Sequence, residues 1–451
     1  MEIINNFFAE LSNFLWGNFG VANLVIGGGV FFLVYSRLTP FRYFKHAFEI
    51  LLGKHDDPDD EGQISHFQAL STALSSTVGI GNIAGVAVAI SLGGPGSLFW
   101  MWLSAIVGMA TKFFTCSLGI MYRGYDSDNV LQGGPMYVIE QGMGKKFKFL
   151  SYWFSIAGLV GCLSLLQANQ LTQIMSDYVV KSFDIEQSFN LNLMIGIIIA
   201  ILVSSVIFGG LSRIAEVASK IVPFMVMVYL LSGLFIVLSN ASSIPAIFSS
   251  AFNGSSVAGG FAGTAIVISQ GFRRAAFSNE AGMGTEVMAI GASKNNQPIK
   301  SGLVAMIGPL IDTIIVCTIT GLVILLSSEW IEGSYSGVSL TQKSFSNYLG
   351  LAGDYILIFS VATFTLSTMF GYSYYGCKRA SYLFGTNSKF YYRIFYVLTL
   401  VLGSVLSLDL AVNIVDAMFA LMAFPTMISA LYLAPNIKKE ANRYFASIKD
   451  N

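Results

Sequence analysis

The residues best suited to bind a charged solute lie in one run, Ser75-Ser76-Thr77-Val78-Gly79-Ile80-Gly81-Asn82, set inside a long apolar segment. Two glycines there interrupt a helical pattern, and an interrupted helix frees carbonyls on one side of the gap and amides on the other. Freed carbonyls and neighbouring hydroxyls suit a hard cation. Freed amides at a helix N-terminus suit a carboxylate, because the helix dipole is positive there. In hydrocarbon, irregular backbone survives only where protein encloses it or where it lines a cavity, so the run predicts a binding site at membrane depth. The competing reading makes Gly79 and Gly81 packing residues between helices. It leaves Ser75, Ser76, Thr77 and Asn82 unexplained.

The elements that must carry this run are membrane helices. Of 451 residues, 54% are hydrophobic and only 11% charged, and the mean hydropathy is +0.66. That composition excludes an ordinary soluble globule of this length. A span needs roughly 20 mostly apolar residues. Eleven such segments are expected, near residues 19–36, 66–92, 95–121, 149–178, 190–210, 218–238, 256–275, 301–327, 352–376, 390–408 and 410–433. The N-terminus lacks a basic region and a small-residue cleavage site, so the first segment is expected to stay as a helix.

Basic residues gather on alternate loops: Arg37, Arg42, Lys45 and Lys54; Arg123, Lys145, Lys146 and Lys148; Arg213 and Lys220. The set continues with Arg273, Arg274, Lys294 and Lys300, then Lys378, Arg379, Lys389 and Arg393, then Lys438, Lys439, Arg443 and Lys449. Only Lys181 and Lys343 fall on the opposite loops. Basic loops stay cytoplasmic, which predicts a multi-pass plasma-membrane protein with its N-terminus outside and its C-terminus inside. Cys116, Cys162, Cys317 and Cys377 show no paired spacing and read as packing residues, not disulfides or thiolate metal sites. His46, His55 and His66 cluster about the first cytoplasmic loop, where solvation is the simpler reading than a metal site. No histidine lies at membrane depth for haem, and no organic cofactor or nucleic-acid partner is called for.

Setting the first helix aside leaves ten, which divide into halves at 66–238 and 256–433 within one transporter-like domain. The first helix of each half carries an interruption, at Val78–Asn82 and along Thr264–Gly271 before Arg273 and Arg274. Paired broken helices are the pattern of inverted repeats that hold a solute at their interface. Two unrelated kinked helices would give the same sequence signal.

The segment GGPGSLFWMWLSAIVGMATKF, Gly93 to Phe113, resembles the signature of the alanine or glycine:cation symporters, the sodium:alanine symporter family. STVGIGNIAGV at 76–86, GGPMYVIEQGMG at 133–144, FSNEAGMG at 277–284 and QPIKSGLVAMIGPLIDTIIVCT at 297–318 extend the resemblance, as do LLQANQ at 165–170 and VDAMFALMAFP at 415–425. It implies an all-α membrane fold of the leucine-transporter type, a 5+5 inverted repeat with one extra N-terminal helix. It also implies sodium- or proton-coupled uptake of small neutral amino acids such as alanine and glycine.

On that resemblance the substrate carboxylate meets the amides of Gly79, Ile80, Gly81 and Asn82. A sodium ion meets the carbonyls of Ser75, Val78 and Phe364 and the hydroxyls of Ser367 and Thr368. The alternative for the two hydroxyls is bonding to their own helix. Thr77 and Asn82 could build a second cation site. Gln167, Asn169, Ser269 and Gln270 are expected to read the amino group, or else to join helices. Phe364, with Met418 or Phe419, would wall the side-chain pocket, where one methylene changes affinity by only about 1–3 kcal/mol. Asp312 and Asp416 lie deep in spans; each could couple, gate, or hydrogen-bond to a neighbour such as Thr313 or Asn413. Glu280 and Arg273 could pair as a gate. One departure stands out: the family pattern carries a glutamate near position 115, and this chain has Thr115, three residues after Lys112.

The reading is therefore a symporter for a small neutral amino acid, with glutamine or another neutral amino acid as the alternative. A monomer suffices for it. An intramembrane enzyme would need a nucleophile–base or metal constellation, which the sequence does not offer. A channel would need filter-like rings in an oligomer.

Overall fold

A helix apolar on every side can be buried only among other helices or in lipid, and the predicted segments fall largely on helix in the computed structural model, which describes residues 2–18, 20–55, 57, 60–253 and 260–449, so that positions 19 and 256–259 of the expected spans lie outside the described residues. Two helices, α1 (Glu2–Asn13) and α2 (Val21–Tyr35), precede a short amphipathic α3 (Phe44–Leu51). The broken pair α4 (His66–Thr77) and α5 (Gly81–Gly93) follows, then α6 (Gly96–Met121), α7 (Lys148–Gly161), α8 (Leu165–Phe183), α9 (Phe189–Ile207) and α10 (Gly210–Ser239). The chain continues with α11 (Gly260–Asn279), α12 (Val287–Ile290), α13 (Pro298–Ser327), α14 (Gly337–Leu349), α15 (Leu351–Phe384), α16 (Ser388–Val405) and α17 (Leu408–Lys449).

Among the described residues, eight helical stretches are long and apolar enough to cross a membrane, nine when α4 and α5 count as one bent span. Helices α11 and α16, both expected as spans, fall outside that count. Gln270, Arg273 and Arg274 in the one, and Lys389 and Arg393 in the other, lower their apolarity. Helices α9 and α10 turn Met194, Ile198, Ile201, Phe224, Leu231 and Phe235 outward, a surface that lipid solvates and water does not. By contrast α6 is buried along most of its length, which places it at the centre of the bundle.

At the end of the molecule where α4 begins, Ser65 caps the helix through the Gln68 amide while the Gln68 side chain accepts from the Ser65 amide, a reciprocal capping box. Ile64 pairs with Ser293 beyond α12. Arg123 fastens the same junction, donating to the carbonyls of Gly291, Ser293, Asn295 and Glu61 at 2.5–3.2 Å. Burial pushes its guanidinium down to about 10. A two-stranded pair, Gly124–Tyr125 with Leu131–Gln132, leads away from it.

Arg273 and Arg274 do not join this basic end. They line a cavity with Ser12, Leu408 and Asp409, at the opposite end of α17 from its tail. Reading them as loop residues overlooked that α11 runs on through Asn279. All four cysteines are free and buried, consistent with packing.

Candidate functional site

Helix α4 stops at Thr77, and the chain restarts as α5 after a bend of 52°. Val78 caps the stop with ψ 89°, which swings its carbonyl out of the helical ladder. Neither Gly79 nor Gly81 has a positive φ, so these glycines are not there for a left-handed turn. They admit neighbours instead. A Cβ on Gly79 would stand 2.5 Å from Thr368 Oγ1, and one on Gly81 would stand 3.0 Å from the Phe277 ring. The two glycines bring α15 and the end of α11 against the gap.

Helix α15 meets the first side of that gap with oxygen. Ser367 Oγ lies 3.2 Å from the Ser75 carbonyl and 2.9 Å from the Phe364 carbonyl, and Thr368 Oγ1 lies 3.0 Å from the same Phe364 carbonyl. Two hydroxyls and two carbonyls from separate helices thus converge beside Val78 and Gly79. The hydroxyl hydrogens point to helix carbonyls, and rotating them away would turn lone pairs inward for a cation. Ser75, Phe364, Ser367 and Thr368 are therefore brought together as expected, whereas the Phe364 ring packs on Tyr229 at 5.4 Å.

On the second side of the gap Asn82 is the junction. Its Oδ1 accepts from the Gly79 amide at 2.9 Å, so that amide is already held. Its Nδ2 reaches Ser278 Oγ at 3.1 Å, the Asp312 carbonyl at 3.0 Å and the Asp312 carboxylate. Ser278 Oγ also donates to Asp312 Oδ1 at 2.7 Å. Asp312 Oδ2, Thr77 Oγ1 and Gln167 Oε1 are buried and find no hydrogen-bond partner among the described residues. A buried polar atom left unpaired costs about 1–3 kcal/mol; others, such as Ser117 Oγ, share that condition, and it is the position of Thr77 and Asp312 beside the helix gap that makes them candidates to meet a ligand. The first amides of α5, near Ile80 and Gly81, add the positive end of a helix dipole.

The interruption in the second half is not at Thr264–Gly271. Helix α11 is continuous there; the side chains of Thr264 and Ala265 lie outside the described residues. Gly271 is a packing glycine, since a Cβ on it would stand 2.6 Å from the Trp100 side chain. The break falls at Glu280–Glu286, where Glu280, Gly282 and Gly284 take φ values of 54°, 86° and 77°. Glu280 is fully enclosed and accepts hydrogen bonds from Tyr372 and Thr285. Lys112 is buried within electrostatic reach of Glu286, Glu280 and Asp312. Thr115, where a glutamate was expected, bonds to the Thr111 carbonyl at 3.1 Å.

A cavity of about 240 Å³ opens over the gap, lined by Ile80, Gly85, Gln170, Gln270, Arg274, Phe277 and Asp416 among others. Arg274 and Asp416 pair across it at 2.7 Å. Beneath them the Phe277 ring packs against Phe419 at 5.8 Å. The expected Arg273–Glu280 pair does not form: Arg273 lies over the Trp16 ring, and Glu280, at the start of the break, takes Tyr372 and Thr285 instead. Asp416 takes Arg274 and not Asn413, which bonds to Asn5 at 2.9 Å. Gln270 lines the cavity, but Ser269 turns to the outside of α11 and takes no part. Asn169 is helix glue, donating to the Leu406 carbonyl at 2.7 Å, and Met418 packs on Gly161. Phe277, Ser278 and Asn279 went unassigned in the sequence reading. The signal for them was in FSNEAGMG, where three polar residues precede two glycines.

The model of the sodium:alanine symporter family matches residues 1–451. The sodium/alanine symporter AgcS of Methanococcus maripaludis is 39% identical, over 98% of this chain and 97% of that one. A probable sodium/glutamine symporter, GlnT of Bacillus subtilis, is 31% identical over 100% of this chain and 92% of its own length. Among solved structures, MhsT in complex with L-phenylalanine superposes with a TM-score of 0.60 at 12% identity, over 84% of this chain and 98% of that one. The fold is that of the leucine-transporter type.

Proposed function

The chain belongs to the sodium:alanine symporter family, and from that premise we propose that it couples inward sodium movement to uptake of a small neutral amino acid, alanine or glycine first. The observation that carries this is the convergence of the Ser75 and Phe364 carbonyls with the Ser367 and Thr368 hydroxyls beside the freed start of α5. Sodium takes those oxygens together with the Val78 carbonyl. Because they come from α4 and α15, the ion draws two helices together, and it leaves them free to part when it goes.

The substrate carboxylate takes the amides near Ile80 and Gly81, with the Thr77 hydroxyl beside it. Gln167, whose Oε1 has no partner among the described residues, is the group that meets the ammonium end. Asp312, with one buried oxygen unpaired and Asn82 and Ser278 on the other, is the residue for a second cation or a coupled proton. Arg274 and Asp416 act as a gate between the cavity and one side of the membrane. The halves at 66–238 and 256–433 rock about these sites, although residues 254–259 lie outside the described residues. The N-terminus faces outward and the tail inward, supported by the basic loops that remain once Arg273 and Arg274 are set apart. One charge crossing 100 mV supplies about 2.3 kcal/mol, enough for roughly fifty-fold accumulation.

Glutamine is the second reading, favoured by the relative named as a sodium/glutamine symporter. Uptake of radiolabelled alanine into proteoliposomes, with and without an inward sodium gradient and challenged by glycine, D-alanine and glutamine, separates the two. Sodium-driven accumulation blocked by glycine is expected. No alanine uptake, with glutamine accumulated instead, would overturn the assignment.

A further inference from the structure

The three histidines cluster in sequence about the first loop, and two of them converge with an acid in space. His46 and Glu49 lie one turn apart on one face of α3, and His55 returns from the turn that follows. His46 Nδ1 stands 3.6 Å from Glu49 Oε2, and His55 Nε2 stands 3.8 Å from the same oxygen. One ligand atom from each residue falls within 4.8 Å of the others. Zinc with bonds of about 2.0–2.1 Å holds tetrahedral ligand atoms about 3.3 Å apart, so the two contacts to the Glu49 oxygen close by a few tenths of an ångström and the widest pair by at most about 1.5 Å.

The surroundings fit as well. The other nitrogen of His46, Nε2, lies 2.9 Å from the Tyr444 hydroxyl on α17. Such an outer partner fixes the ring and directs the opposite nitrogen at the metal. The two imidazole rings meet edge-on, tilted 65° with centroids 4.6 Å apart, so they are not stacked face to face. Lys300 Nζ donates to the His55 carbonyl at 2.6 Å, which anchors the loop while placing one positive charge near the cluster. The Glu49 carboxylate offsets that charge.

We propose that His46 Nδ1, Glu49 Oε2 and His55 Nε2 form a binding site for a zinc-class divalent cation, with the fourth position left to water. Two histidines and one carboxylate with an open position suit zinc, not the all-oxygen preference of sodium, calcium or magnesium. Occupancy would fasten α3 and the loop before α4 to the tail end of α17.

The test uses the full chain in detergent, without a polyhistidine tag, dialysed free of metal and titrated with zinc chloride alone. One zinc per chain is expected. His55→Ala, on an exposed loop residue, is expected to weaken binding at least 100-fold while eluting as a monodisperse protein. Glu49→Gln is expected to weaken it about 10-fold or more, and Tyr444→Phe about 10-fold, as outer-partner losses do. Magnesium at the same concentration should not compete. Absence of zinc binding by the parent chain, or equal binding by parent and His55→Ala, would overturn the site.

Discussion

The two helix breaks use opposite means. The first, between Thr77 and Gly81, has no left-handed residue and brings hydroxyls and freed carbonyls of two helices together. The second, from Glu280 to Glu286, uses three left-handed residues and closes the Glu280 carboxylate with two hydroxyl donors, while Glu286 keeps one oxygen without a hydrogen-bond partner among the described residues. A gap without backbone strain can open and close about a ligand. A gap built on left-handed residues is a corner, positioning Phe277, Ser278 and Asn279 against the first.

Among single substitutions at the two breaks, Gly79→Ala should have the largest effect on uptake. Its Cβ would stand 2.5 Å from Thr368 Oγ1, and overpacking of about 1–3 kcal/mol confined to the cage corresponds to a loss of sodium-driven uptake of about 10–100-fold. The protein should still fold, as judged by its elution profile. Gly284→Ala attacks the other break. It combines a left-handed φ with a Cβ 2.5 Å from Pro135 Cγ, so stability rather than sodium affinity should fall, by about 1–3 kcal/mol in a thermal-shift measurement. If both variants lost the same property, the distinction between the breaks would fail.

Smaller effects sharpen the contrast. Thr77→Val removes a hydroxyl that has no partner among the described residues, so the melting temperature should stay the same or rise. Substrate affinity should fall by about 5–10-fold, the equivalent of about 1 kcal/mol, in competition uptake. Ser269→Ala should change neither uptake beyond about twofold nor stability beyond about 0.5 kcal/mol, because the side chain faces away from the cavity.

The sequence made the first break legible because hydroxyls and an asparagine crowd two glycines inside an apolar segment, and helix geometry leaves few other uses for them. The cage partners Ser367 and Thr368 were reachable only through the family resemblance, since contact between α4 and α15 spans nearly 300 residues. The second break was misplaced by about four turns, at Thr264–Gly271 instead of Glu280–Glu286. Arg273 and Arg274 looked like a loop, yet Arg274 is neutralised by Asp416, a partner 142 residues away that no local pattern announces. Left-handed φ at Gly282 and Gly284 separates a corner glycine from a packing glycine such as Gly271, and sequence alone does not distinguish them. Of the His46–Glu49–His55 cluster only the two histidines stood out, as solvated loop residues beside His66; Glu49 did not, because the convergence depends on how the turn after α3 folds back.

The most direct test of the sodium cage is a sodium titration of alanine uptake in proteoliposomes, comparing the parent chain with the Ser367→Ala/Thr368→Ala double variant. Loss of two of five oxygens should raise the half-saturating sodium concentration at least about 30-fold, at about 1–3 kcal/mol for each lost polar partner. An unchanged sodium dependence in a folded double variant would contradict the account.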